Sequence, residues 1–162
     1  MTNNTDYLMA KLSPYLQFIP AKVDIVLLYL TNNEGLSPRA LEQLSTSLIN
    51  QLSTYVSYIL GRVVDIEFIS IPITRDGITD MIILLNKNDL GGIDITDECV
   101  VLDRFNTKCI NLNSLIGFDS FSENNVNKKP SIRLWKEYEG KKKDVISYLF
   151  KHMCNYETAQ VY

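Results

Sequence analysis

His152 is the single histidine of the chain, and Cys154 stands two residues beyond it. Nucleophilic catalysis needs a thiol or hydroxyl within hydrogen-bond reach of a base. Positions two apart on a helix point to different sides, so His152 is read as a surface residue at a helix end, and no catalytic residue is assigned. The chain has no phosphate-cradling GxxxxGK[ST], no GxGxxG, no GxSxG and no HExxH, which removes support from the common nucleotide, hydrolase and metalloprotease classes. Metal-dependent phosphodiester chemistry needs clustered carboxylates and often a lysine. Asp89, Asp94, Asp97, Glu98 and Asp103 form the densest acidic group, and Glu139-Gly140-Lys141 copies the ExK part of one nuclease motif without its preceding Pro-Asp. Solvated loop acids explain them more simply. No metal ligand and no cofactor is assigned, and a metal-dependent nuclease stands third among the functional readings.

Two other groups could bind rather than react. Lys128, Lys129, Arg133, Lys136, Lys141, Lys142 and Lys143 surround Trp135 and Tyr138, and aromatics among cations can stack bases and meet phosphates. A solvated basic face pairing with the acidic body is the competing explanation. The second group is Ser45, Thr46, Asn50, Ser53, Thr54 and Ser57, which put hydroxyls and amides where a surface helix normally carries charge. Such a face can approach another protein without stripping water from ions. Cover by the chain's own Asn106 to Pro130 connection is the alternative.

These residues need elements to hold them. Ser37 as N-cap, Pro38 at the first helical position and Gly61 as a left-handed cap predict a helix over about 38 to 60. Its apolar stripe runs Leu41, Leu44, Leu48, Leu52, Tyr55, Val56 and Ile59, a face made to lie on a sheet. Lys22 to Thr31 predicts a first strand and Arg62 to Ile73 a second, at an edge or ending at Pro72. Asp76-Gly77 predicts a hairpin into a third strand, about Ile78 to Asn86. A kinked helix or turn is expected over Asp6 to Phe18, a short strand over Cys99 to Phe105, and a long connection over Asn106 to Pro130. Ser131 to Glu139 fits either strand or helix. Asp144 to Tyr156 predicts a closing helix. The expected fold class is α+β: one domain over 1–162, a single layer of mixed, largely antiparallel sheet, with the long helix and the C-terminal helix (about 144–156) packed on one face.

Composition bounds the rest. At 162 residues, 46% hydrophobic and 22% charged, the chain is globular and large enough for one core. Its longest apolar runs fall well short of the roughly 20 residues of a membrane span. The polar start, Met1 to Asp6, lacks the pattern of a secretory signal, so an intracellular protein, cytoplasmic or in an organelle matrix, is expected. Three cysteines without metal-like spacing are read as free thiols. The net charge of −3 hides a division. Residues 128–152 hold eight basic and three acidic groups, a net of +5, and residues 1–127 hold eight basic and fifteen acidic, a net of −7.

Lys22-Val23-Asp24-Ile25-Val26-Leu27-Leu28-Tyr29, the long helix, and Gly61-Arg62-Val63-Val64-Asp65-Ile66 together resemble a segment of the mitochondrially encoded small-subunit ribosomal proteins of fungi and some protists. The resemblance covers less than a third of the chain and implies an RNA-binding assembly component. The family's later tyrosine- and proline-containing motif and its strongly basic C-terminal region are missing, and an acidic chain suits ribosomal RNA poorly. The leading expectation is therefore a non-enzymatic protein that works by associating with another protein, as an inhibitor or assembly component; an acidic body can recognise a basic partner, as immunity-type inhibitors do. RNA binding through 128–152 comes second.

Overall fold

The computed structural model describes residues 24–32, 35–96, 109–112, 132–153 and 158–159, with Ala10, Ser13 and Gln17. In chain order the elements are β1 (Asp24–Leu30), α1 (Pro38–Leu60), β2 (Phe68–Arg75), β3 (Ile78–Asn86), a 3-10 turn (Lys87–Leu90), β4 (Asp94–Thr96), β5 (Cys109–Asn111), β6 (Leu134–Lys141), α2 (Lys142–Met153) and β7 (Thr158–Ala159). The fold is α+β. The main sheet has the order β6-β1-β3-β2-β7, and each neighbouring pair in it is antiparallel. A separate pair, β4 and β5, is parallel.

Both ends of α1 are set by their predicted residues. Ser37 accepts the Ala40 N–H at 3.2 Å, and Pro38 lacks a donor that the first turn would leave unpaired. Gly61 takes φ 69° and donates to the Ser57 carbonyl at 2.9 Å, a left-handed conformation in which a Cβ is unfavourable. At the hairpin Asp76 and Gly77 both have positive φ, 53° and 78°, the geometry whose twist matches the flanking strands.

β1 and β2 both run antiparallel to β3, which lies between them. The crossover through α1 therefore joins parallel strands that are not neighbours. Both central strands are buried on two faces. Val26, Leu28, Leu30, Met81, Ile83 and Leu85 meet Leu41, Leu48 and Leu52 of α1. Ile25, Leu27, Ile82 and Leu84, of the opposite parity, meet Val145 and Leu149 of α2. The helices thus cover opposite faces of the sheet, not the one face expected. The uninterrupted runs Ile25 to Leu28 and Met81 to Leu85 are what a strand covered on both sides requires.

The second strand begins at Phe68, later than the Arg62 expected. The reason lies in the helix. Ser57 Oγ accepts the Val64 N–H at 2.8 Å and lies 3.2 Å from the Val64 carbonyl, to which it donates. Ser53 Oγ accepts the Ile66 N–H at 3.2 Å, and Asp89 accepts that of Glu67 at 3.2 Å. Side chains bind the backbone groups that a ladder would have bound.

Of the Ser131 to Glu139 stretch, open between strand and helix in the sequence, the residues from Leu134 on are strand and belong to β6 (Leu134–Lys141). The closing helix starts at Lys142, two residues before the expected Asp144. Within the Asn106 to Pro130 stretch, Cys109–Asn111 pairs with β4 and Leu112 is buried in the α1-side core. The expected Cys99 to Phe105 strand lies outside the described residues, as does the Asp6 to Phe18 helix except at Ala10, Ser13 and Gln17, which are helical.

Candidate functional site

The six polar residues of α1 divide into two sets. Ser45 is fully buried, with its hydroxyl donating to the Leu41 carbonyl at 2.8 Å, the four-residue back-bond that satisfies a hydroxyl inside a helix. Ser53 and Ser57 are half-buried and hold the 62–67 connection. Expecting all six on one outward face is therefore corrected: three of them serve the fold. Thr46, Asn50 and Thr54 are exposed, in line with Gln43, Ser47 and Tyr58. From Gln43 to Leu60 the helix has no acidic or basic side chain.

At the C-terminal end of this stripe Tyr58 is 59% exposed and Val63 is 92% exposed. Neither belongs by residue type to the hydroxyl and amide group of the helix. The signal for Tyr58 was its position four beyond Thr54, on the side of the helix away from the leucines.

The basic segment is also divided. Lys128 and Lys129 lie outside the described residues. The β1–β6 register shifts between Leu27 and Leu28, which pair with Tyr138 and Lys136, so Glu137 is an extra, bulged residue. By pairing, Lys136, Glu139 and Lys141 stand on the α1 side, whereas Trp135 and Tyr138 stand on the α2 side. The seven cations and their aromatics do not make one surface. Arg133 stays with Trp135, its guanidinium 5.8 Å from the ring centroid. Lys141 and Lys143 are exposed, and Lys142 is half-buried.

On the α1 side Lys87 donates to Glu139 at 2.7 Å, and Lys136 lies 3.6 Å from the other carboxylate oxygen. The pair joins a base of the acidic body to an acid of the basic segment, the reverse of the charge division. It also occupies the glutamate of the ExK-like triplet. The Glu139 hydrogen bond raises the Lys87 amine above the ordinary lysine value, against an opposing effect of burial. For Glu139 burial acts upward, but the Lys87 hydrogen bond and the Lys136 and Lys87 charges together carry the carboxyl below its ordinary value.

The lowered carboxyl contributes stability present above the unfolded pKa of about 4.3 and lost as pH falls through the folded value. The raised amine contributes stability present below about 10.4 and lost as pH rises through its folded value. Glu139→Gln is expected to cost about 0.5 kcal/mol between those limits, a figure reduced for solvent screening. Urea titrations of both proteins across pH check this, and the difference should shrink at both extremes.

On the α2 side the rings cluster. Tyr29 stacks on Trp135 with centroids 5.0 Å apart, Tyr138 stacks on Tyr148 at 4.4 Å, and Tyr148 meets His152 at 4.0 Å. The bulge carries Glu137 into this group, where it accepts the Trp135 indole N–H at 2.7 Å and the Tyr148 hydroxyl. A recess of about 50 Å³, open on one side, lies between Tyr29, Tyr148, His152 and Glu137 over Leu27, Ile82 and Leu149. No spacing rule could gather these residues, because a bulge and a helix docking bring them together.

His152 is exposed, as expected of a helix-end residue, and Cys154 lies outside the described residues. Of the acidic group, Asp89 accepts the Glu67 backbone N–H and Asp94 begins β4, while Asp97, Glu98 and Asp103 lie outside the described residues. Among the described residues no three His, Cys, Asp or Glu side chains gather in a way that could hold a metal ion. Among the same residues no helix is long and apolar enough to cross a membrane. In comparisons with protein-family models, with curated proteins and with solved structures, the chain gives no significant match.

Proposed function

We propose that this protein acts by associating with another protein through the exposed stripe of α1, from Gln43 to Tyr58, with Val63 at its end. The observation that carries this reading is the exposure of Tyr58 and Val63 beside a helix face without acids or bases. Interface centres are depleted of charge and enriched in tyrosine. The stripe is held rigidly, because Leu41, Leu48 and Leu52 on the other side of the helix are fully buried. Its body, residues 1–127, carries a net −7, so a basic partner is favoured by steering.

Pull-down from native extract, with quantification of protein and nucleic acid, tests this. Wild type and a variant with Lys141, Lys142 and Lys143 reversed to glutamate should retain the same basic protein in fixed ratio. Thr54→Lys should lose it. Tyr58→Ala should weaken the purified complex by about 2 kcal/mol, roughly thirtyfold in Kd, and change unfolding stability by less than about 0.5 kcal/mol. Retention by Thr54→Lys would remove this reading.

Arg133 beside the Trp135–Tyr29 stack favours a second reading, RNA binding within a ribonucleoprotein. It requires recovered RNA, loss of that RNA on lysine reversal and a steep salt dependence.

A further inference from the structure

The 62–67 connection runs back along α1. Ser57 holds Val64 and Ser53 holds Ile66. A four-residue step on a helix advances about 6.0 Å and a two-residue step of extended chain about 6.6 Å, so successive serines meet alternate residues. Val64 and Ile66 pack on the core beneath α1. Val63, Asp65 and Glu67, of the opposite parity, are exposed. The uncharged stripe thus has a second row beside it, with an apolar side chain at the C-terminal end of α1 and two carboxylates further back along the helix. We propose that the partner docks a basic helix along these rows, with an apolar side chain against Val63 and lysine or arginine against Asp65 and Glu67.

This rests on the stripe being a protein interface, and names what lies on it. Charge complementarity sets the sign of the occupant. α1 has no basic residue in its last turn, so the negative end of its dipole adds to the carboxylates. Arg62, next to Val63 in the chain, has its guanidinium against Gly91. An extended occupant would add through backbone bonds, but Val64, Ile66 and Glu67 already donate their N–H groups to Ser57, Ser53 and Asp89. A helix bonds its own backbone, and its four-residue step presents side chains at close to the spacing of the row. Exposed ion pairs contribute little each. Burial of Val63, 92% exposed in the free chain, therefore supplies most of the affinity at this row, and the carboxylates select the sign.

A synthetic alanine-rich helix with a leucine and two lysines at successive four-residue steps, in either order, tests this when titrated into the full chain and followed by backbone amide shifts. It should saturate, with shifts at Val63 and Asp65, and its copy with glutamate for lysine should bind at least about fivefold more weakly. The double variant Asp65→Lys, Glu67→Lys should reverse that preference, which a purely structural role of these residues would not do. Val63→Ser should raise the Kd of the lysine peptide about tenfold. Circular dichroism checks folding. If the double variant does not fold, Asp65→Asn, expected to narrow the preference, carries the test. No saturation at millimolar peptide, equal binding of the two peptides, or an unchanged preference in the variants overturns the proposal. So does self-association of the free chain in sedimentation with the same amides shifted, which puts a second copy on the rows. In the pull-down, loss of the retained protein by Thr54→Lys but not by the double variant keeps the stripe as an interface and overturns the basic helix. Peptide binding together with retention by Thr54→Lys supports the basic helix and removes the stripe from its footprint.

Discussion

Leu48→Ala is expected to lower the unfolding free energy by about 3 to 4 kcal/mol, measured by urea denaturation. Leu48 lies midway along α1 and is fully buried with Leu28, Leu52 and Ile83 in the core beneath the helix. Truncation removes the transfer free energy of the side chain and leaves a cavity. Strands on one side and helix turns on the other limit its collapse. The helix has little intrinsic strength to compensate, because serine and threonine are mediocre helix formers. Two residues away, Thr46→Ala is the control. Thr46 is exposed and its hydroxyl bonds only back to the Glu42 carbonyl at 3.0 Å among the interactions described, so its loss should fall within about 0.5 kcal/mol. Equal effects at the two positions would contradict the orientation of α1.

Asn32→Ala should cost about 2 to 4 kcal/mol in the same measurement. Asn32 is 2% exposed. Its side chain accepts the Leu36 N–H at 2.9 Å and donates to the carbonyls of Leu36 at 2.8 Å and Thr79 at 2.9 Å. Its backbone N–H donates to Asp80 at 3.0 Å, and the other Asp80 oxygen accepts the Tyr29 hydroxyl at 2.7 Å. One amide thus ties the end of β1, the approach to α1 and the start of β3. Alanine leaves these backbone groups without partners in a place with little access to water, and an unmet buried group costs more than the bond contributes. Asn32→Asp should also destabilise, since a carboxylate accepts from Leu36 but cannot donate to two carbonyls. A loss below about 1 kcal/mol in the alanine variant would show that water replaces the amide.

The function-bearing surfaces were legible to different degrees. The uncharged side of α1 was visible because helical spacing projects every third and fourth residue to one side. Ser45, Ser53 and Ser57 look the same in the sequence as the exposed residues, because composition cannot distinguish a hydroxyl facing water from one bonded to its own chain. The α2-side recess was not legible. Tyr29 and Trp135 are far apart in sequence and meet only through the β1–β6 register, and Glu137 joins them only because that register slips by one residue.

Elements whose signals are local can be read from the chain before it folds. Ser37, Pro38 and Gly61 set the limits of α1, and Asp76-Gly77 turns β2 into β3, because caps and tight turns depend on the φ, ψ and donors of a few adjacent residues. Long-range packing sets the rest: β3 lies between β1 and β2, the helices cover opposite faces, and the segment after α1 is held by serines instead of a ladder. Those outcomes rest on pairings between distant residues, where local propensity is neutral and the burial of both faces of β1 and β3 chooses the arrangement.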